Sequence, residues 1–376
     1  MCEINSHGGS TIIREILEIC LQNGAVLAEP GEFTKRAFLN GRIDLSQAEA
    51  TIDIINAKTK KESISAITQL EGFLSEQISG IRQKALDILV NIEASIDYPE
   101  YDIEEVTNAQ VEQQLKKIKE DLEKLIKTFE NGKIIKEGIA LAIIGSPNVG
   151  KSSLLNAMLK EERAIVTDIA GTTRDTIEEA VVIEGIPFKI TDTAGIRDVE
   201  NKVEKIGIEK TRKTAQNSDA IIAMFDISKE INKEDEEVLQ VIKDKNAIII
   251  LNKTDLKEKN IYKDERIKAV GKKIIEMSVL NKDGLEELYQ ALVEMFNINT
   301  IEVGNEVLIT NIRHKNLLEE ASGHVGIAMD SMKSNMPIDV IAINIKDILE
   351  ALGKITGENV SEDIIKEIFS KFCLGK

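Results

Sequence analysis

The segment Gly145-Ser146-Pro147-Asn148-Val149-Gly150-Lys151-Ser152 has the spacing GxxxxGK[ST], and the chemistry this pattern serves is the gripping of a polyphosphate. Its glycines let successive backbone N–H groups wrap phosphate oxygens, and the N-terminus of a following helix adds partial positive charge. Lys151 is expected on the β- and γ-phosphates and the Ser152 hydroxyl on Mg²⁺. The context is the required one, because an apolar run, Ile139–Ile144, precedes the loop and a helical pattern follows it.

Three later segments, in order, select the nucleotide. Asp192-Thr193-Ala194-Gly195 follows a strand, so Asp192 can hold the metal through water and the Gly195 amide can approach the γ-phosphate. Asn252-Lys253-Thr254-Asp255 ends another apolar strand. The Asp255 carboxylate can accept from the N1–H and the exocyclic amine of guanine, and adenine offers neither in that geometry. Asn252 reads the other base edge, the Lys253 stem lies over the ring, and Ser278 matches a weak fifth element, where a backbone N–H meets the guanine carbonyl. Between these landmarks, Thr167-Asp168-Ile169-Ala170-Gly171-Thr172-Thr173-Arg174-Asp175 occupies the place of a switch loop, with Thr173 the expected second Mg²⁺ hydroxyl. The reading is a GTPase.

Many GTPases orient the attacking water with a glutamine directly after DxxG, but here that position is Ile196, which cannot hydrogen-bond. The nearest replacement carboxylates lie in Asp198–Glu204, and Arg197 and Arg174 are the nearby cationic side chains. A monovalent cation beside the β- and γ-phosphates is another source of positive charge, held by Asn148 and by carbonyls of Thr167–Thr172. Asn148 bracing the loop is the equal alternative.

The elements that position these residues are written in the periodicity. From about Glu137, short apolar strands (Ile139–Ile144, Glu178–Glu184, Pro187–Thr191, Ala220–Phe225, Ala247–Leu251) alternate with amphipathic helices, which predicts a mainly parallel sheet covered on both faces. A hairpin around Gly185 makes one edge antiparallel. Residues 46–131 read as helices. Capping boxes are expected at Ser46/Glu49 and Thr107/Gln110, and a stop at Asn131-Gly132. One apolar stripe runs Leu74, Ile78, Ile81, Ala85, Ile88, Ile92, Ile96 until Tyr98-Pro99, and another runs Val111, Leu115, Ile118, Leu122, Leu125, Phe129. Both read as packing inside a helical bundle. Helical patterning returns after Asn297, and Met1–Asn5 reads like mid-strand.

At 376 residues, two or three domains are expected. The net charge of −17 argues against unaided binding to a nucleic-acid backbone. Cys2, Cys20 and Cys373 are too far apart for a CxxC site, which fits a reduced, cytoplasmic setting, and no apolar run is long enough for a membrane span. His7 and His314 read as structural polar residues, and Cys373, between Phe372 and Leu374, as a buried small hydrophobe.

Four segments together closely resemble the MnmE (TrmE) family of tRNA-modification GTPases: Ala28–Arg42 (AEPGEFTKRAFLNGR), Asp44–Ala50 (DLSQAEA), the nucleotide motifs with Gly171–Asp175, and the tail Phe372–Lys376 (FCLGK). The resemblance implies an α/β Ras-like P-loop G domain inserted in an all-α helical domain, preceded by the remnant of an α+β folate-binding domain. The implied boundaries are 1–43 for the partial folate-binding and dimerisation domain, 44–136 and 299–376 for the two parts of the helical domain, and 137–298 for the G domain. The family's folate domain begins upstream of the position matching Met1, so its first strands and an arginine ligand are expected to be lacking.

The resemblance further implies K⁺-assisted, Mg²⁺-dependent GTP hydrolysis on G-domain dimerisation. Its K⁺ ligands fall on Asn148, Thr167, Ile169 and Thr172, its Mg²⁺ ligands on Ser152 and Thr173, and its catalytic glutamate on Glu204, acting with Lys151. The nucleotide contacts fall on Asn148, Val149, Gly150, Lys151, Ser152 and Ser153, on Thr167, Asp168, Ile169, Ala170, Gly171, Thr172 and Thr173, on Asp192, Thr193, Ala194 and Gly195, and on Asn252, Lys253 and Asp255. Folate contacts fall on Glu3, Arg42 and Lys376, and Cys373 lies near the modification chemistry. The implied setting is a homodimer acting with the FAD-binding partner MnmG to place a carboxymethylaminomethyl-type group on a tRNA wobble uridine, a one-carbon tetrahydrofolate supplying carbon. Two rivals differ in what they require: a ribosome-assembly GTPase needs a basic RNA-binding domain, and a self-assembling GTPase polymerises with nucleotide.

Overall fold

The computed structural model describes residues 2–97, 108–160, 164–166, 179–191, 207–256, 261, 265–301, 304 and 307–372. The chain divides into two compact units, one of Met1–Ile55, Gln69–Lys119 and Glu320–Lys376, the other of Asn56–Thr68 and Glu120–Glu319.

The second unit carries a seven-stranded sheet. Its strands are β1 (Ile139–Gly145), β2 (Ala164–Val166), β3 (Glu179–Ile183), β4 (Ile186–Thr191), β5 (Ala220–Asp226), β6 (Ala247–Asn252) and β7 (Lys273–Met277), in the spatial order β2-β3-β4-β1-β5-β6-β7. The run from β4 to β7 is parallel, and β2, β3 and β4 pair antiparallel, with Ile183 opposite Ile186 across the Gly185 turn. Strand β2, of three residues, has no counterpart in the sequence reading.

The sheet is hydrophobic on both faces because successive strand side chains point to opposite sides. Leu141, Ile143, Ile222, Met224, Ile248 and Ile250 share one core with Leu154, Leu155 and Met158 of the helix Lys151–Lys160. Ala142, Ile144, Ile221, Phe225, Ile249 and Leu251 share another with Val238, Leu239 and Ile242 of the helix Lys233–Ile242. Full burial of each large side chain contributes roughly 1.5–3 kcal/mol. The loops that leave the carboxyl ends of β1, β5, β6 and β7 are thereby held by a rigid frame.

The first unit is helical among its described residues. α1 (Ser10–Gln22) and α2 (Glu32–Leu39) are followed by α3 (Leu45–Asn56) and the long α5 (Phe73–Asp97), while most of α4 (Lys60–Leu70), between them in the chain, belongs to the second unit. Leu74, Ile78, Ile81, Ala85, Ile88 and Ile92 are buried as their spacing requires, whereas Ile96 at the stripe's end is exposed. α5 packs along the helix Ile338–Thr356, with Arg82 clamped on the Glu358 carboxylate and Lys346 Nζ 2.9 Å from Glu93 Oε1. The second stripe, from Val111 to Leu125 and Phe129, is likewise buried.

Three local expectations change. The box that opens α3 is Asp44/Gln47 rather than Ser46/Glu49: Asp44 Oδ1 accepts the Gln47 amide at 2.9 Å and Gln47 Oε1 accepts the Asp44 amide at 3.0 Å. Ser46 lies inside the helix, where its hydroxyl donates to Asp44. The helix Asn108–Lys127 ends at Thr128, and a new helix, Phe129–Glu137, runs straight through Asn131-Gly132 to stop at Gly138, φ 75°. Gly132 is there for room, because a Cβ would collide with the Ile309 carbonyl. Cys2–Asn5 forms no strand, since no neighbouring strand pairs with it among the described residues. Thr107, Tyr98 and Pro99 lie outside the described residues. His314 is fully buried beside Arg313, and His7 is exposed.

Candidate nucleotide site

Gly145 ends β1 with φ 151°, and Gly150 opens the helix Lys151–Lys160 with φ 109°. Both positions exclude a side chain: a Cβ on Gly145 would meet the Met224 carbonyl, and one on Gly150 the Asn252 amide group. The left-handed backbone at Asn148, φ 63°, is one that asparagine tolerates better than most residues. Lys151 curls back over the loop, its Nζ donating to the carbonyls of Gly145 at 2.7 Å and Ser146 at 2.8 Å. Burial pushes the Lys151 ammonium pKa down, with Glu234 opposing it. A half-buried cation on a loop at a helix N-terminus is an arrangement suited to anionic oxygens.

The base-reading loop is tied to this cradle by one side chain. Asn252 is 4% exposed; its Nδ2 donates to the Val149 carbonyl at 2.8 Å and its Oδ1 accepts the Val279 amide at 3.1 Å. Asp255 is exposed and faces Ser278, whose hydroxyl donates to its Oδ1 at 2.6 Å. The Ser278 amide donates to the Asp283 carbonyl, so this residue supports the carboxylate instead of presenting its own N–H to a base. Lys253 adopts φ 72° and places Nζ 2.7 Å from Asp226 Oδ2. Burial alone would raise the Asp226 carboxyl; the Lys253 ammonium, with the Ser228 hydroxyl and amide, outweighs it and holds the pKa below the usual carboxylate value.

The structure therefore brings Val149, Gly150 and Lys151 together with Asn252, Lys253 and Asp255, with Ser152 half-buried and Asn148 and Ser153 exposed at the rim. Thr167–Thr173, Asp192–Gly195, Ile196, Asp198–Glu204, Arg174 and Arg197 lie outside the described residues. So do Cys373 and Lys376, while Glu3 and Arg42 are exposed. In the helical unit Gly31 packs on Phe372, where an added Cβ would come within 2.8 Å, and Phe38, Phe369 and Phe372 stack in sequence. The Ala28–Arg42 segment and the residue preceding Cys373 are thus neighbours.

Two carboxylates in the site fall outside every motif. Asp226 closes β5, and Asp235 sits in the first turn of the helix Lys233–Ile242, where its Oδ1 accepts the Ser146 hydroxyl. The only sequence signal for Asp235 is the Asn232/Asp235 capping box, and for Asp226 a charge closing an all-apolar strand.

A family model for the MnmE helical domain matches residues 45–373, and one for the GTP-binding protein TrmE N-terminus matches residues 1–42. The tRNA modification GTPase MnmE of Acetivibrio thermocellus is 53% identical over 375 residues, spanning 100% of this chain and 82% of that protein. This chain belongs to the MnmE family. The MnmE proteins of Caldicellulosiruptor saccharolyticus and Finegoldia magna are 50% and 49% identical, each over 374 residues and 82% of its own length. Among solved structures, the G domain of the T. maritima FeoB iron transporter aligns with 42% of the chain and 98% of its own length at 22% identity and a TM-score of 0.30, too loose a likeness to bear on the MnmE fold described above. No described helix of this MnmE-family chain is long and apolar enough to cross a membrane.

Proposed function

We propose that the chain binds GTP across the cradle and the base-reading loop, hydrolyses it, and couples that cycle to tRNA modification. The observation that carries this reading is Asn252, which joins the phosphate loop at Val149 to the loop after β7 at Val279. Gly150 and Lys151 hold the phosphates, and Asp255, kept in place by Ser278, accepts from guanine. Ser152 is the Mg²⁺ ligand, with Thr173 completing its shell and Asp192 holding it through water. The bound ion neutralises charge on the phosphate oxygens. The glycine-only cradle and the half-buried Ser152 at its helix N-terminus fit that role. Asn148, Thr167, Ile169 and Thr172 hold K⁺, which supplies positive charge in place of an arginine, and Glu204 orients water.

The finer assignments are supported by family membership. The G domain, residues 137–298, is inserted in a helical domain formed by 44–136 and 299–376, a reading supported by one compact helical unit drawn from stretches on both sides of the sheet. Residues 1–43 belong to a folate-binding and dimerisation domain, with Glu3, Arg42 and Lys376 toward a one-carbon tetrahydrofolate. The proximity of Gly31 to Phe372 supports a shared site that includes Cys373. The reaction, carried out in the cytoplasm as a homodimer with MnmG, adds a carboxymethylaminomethyl-type group to the wobble uridine.

The nucleotide assignment is tested by Asp255→Asn. A carboxamide presents its N–H to the xanthine oxygen, so preference should pass from GTP to xanthosine triphosphate by roughly 100-fold or more. An unaltered GTP preference overturns the base-reading role. The pathway is tested by nucleoside analysis of tRNA from cells whose only copy is this chain.

A further inference from the structure

We infer that Asp226, outside every nucleotide motif, is a positioning residue for the guanine site, acting by anchoring the ammonium of Lys253. The inference rests on the reading that the Lys253 stem lies over the base. Asp226 is the last residue of β5, and its register partner on β6 is Asn252, directly before Lys253. Its side chain is 3% exposed, a place where an ionised carboxylate persists only when both oxygens are satisfied.

Both are. Oδ1 accepts the Ser228 hydroxyl at 2.7 Å and the Ser228 amide at 3.1 Å, and Oδ2 accepts Lys253 Nζ at 2.7 Å. Lys229 comes no nearer than 3.9 Å and is 62% exposed, so it is a peripheral neighbour.

The partner is held as firmly. Lys253 has φ 72°, a backbone region that lysine enters only when its surroundings impose it. Its side chain is 31% exposed, so it is fixed at the ammonium end while part of it still reaches the surface. A free lysine chain loses much rotamer freedom when a ligand settles on it. One already pinned at its tip binds without that loss, which is the advantage of preorganisation.

The test measures dissociation constants for a fluorescent GDP on the full chain and on Lys253→Ala, Asp226→Asn and the double variant. Each single change should weaken GDP by about tenfold, and the double variant should bind no worse than Lys253→Ala, because both remove one arrangement. Asp226→Asn binding like the unaltered chain, or penalties that multiply in the double variant, overturns the inference; multiplied penalties mark a general structural role. Should Asp226→Asn not fold, Asp226→Glu keeps the charge and displaces it by one methylene, and the same coupling with Lys253→Ala is expected. Unaltered affinity in Lys253→Ala overturns the parent reading of that residue, a result distinct from failure at Asp226 alone.

Discussion

The Ser146 hydroxyl donates to Asp235 Oδ1 across 2.5 Å, joining the second residue of the phosphate loop to the first turn of a helix 89 positions later. Both residues are more than nine-tenths buried, and the other Asp235 oxygen accepts the Asn232 amide at 3.1 Å. The phosphate loop is thus latched by the protein's own side chains. Asp235→Ala removes the latch and one half of a capping box, and should lower unfolding free energy by about 2 kcal/mol in urea titration. Ser146→Ala should lower it by about 1 kcal/mol.

Gly150→Ala should abolish nucleotide binding rather than weaken it slightly. The new Cβ would drive into Asn252, break its bond to the Val149 carbonyl and force a left-handed backbone on alanine. Calorimetric titration with GDP is expected to give binding weaker by about 30-fold or more, from two losses of about 1–3 kcal/mol each.

Much of this was legible in the sequence, and the reason differs by element. β1 and β6 are apolar runs ended by motif residues, and β5 is an apolar run ended by a charge, so composition announces all three and spacing the first two. The α5 stripe is legible because a period near 3.6 has one packing solution. The true start of α3 was missed because Ser46/Glu49 and Asp44/Gln47 both fit a capping pattern, and only the backbone geometry separates them. Asn131-Gly132 resembles a helix stop, yet Gly132 serves the close approach of Ile309 from 177 positions away (309 minus 132). A capping box marks Asp235 and a strand-closing charge marks Asp226, but their place in the site is not legible because their partners lie 89 and 27 positions off and no local rule connects them.

The pH dependence of stability should carry the mark of Asp226. Its folded pKa lies below the ordinary carboxylate value, so the unfolded chain takes up that proton first as pH falls. Stabilisation by this pair is therefore present at neutral pH and lost below about pH 4. The stability gap between the unaltered chain and Asp226→Asn should be widest near pH 7 and narrow toward pH 3, as measured by chemical unfolding at each pH. A gap independent of pH would contradict the ionised pair.

GTP turnover should rise by about tenfold or more in K⁺ over Na⁺ at matched ionic strength, if a monovalent cation supplies the positive charge at the phosphates. Phosphate release at saturating GTP measures this, and equal rates in the two salts remove the cation from the scheme.

In the helical unit, Gly31→Ala should cost about 1–3 kcal/mol, since it combines φ 66° with a clash against Phe372. Thermal unfolding is the readout, and a matching loss for Phe372→Ala without additivity would confirm the shared contact.

Near the start of the sheet-bearing stretch, the Thr128 hydroxyl accepts the Ile309 amide at 3.0 Å while donating to Leu125, and Gly132 lies against the Ile309 carbonyl. That small clasp joins positions 181 apart in the chain. A cut in an exposed turn between them would leave two fragments held only by noncovalent contacts, this clasp among them, which must then also offset the entropy of association.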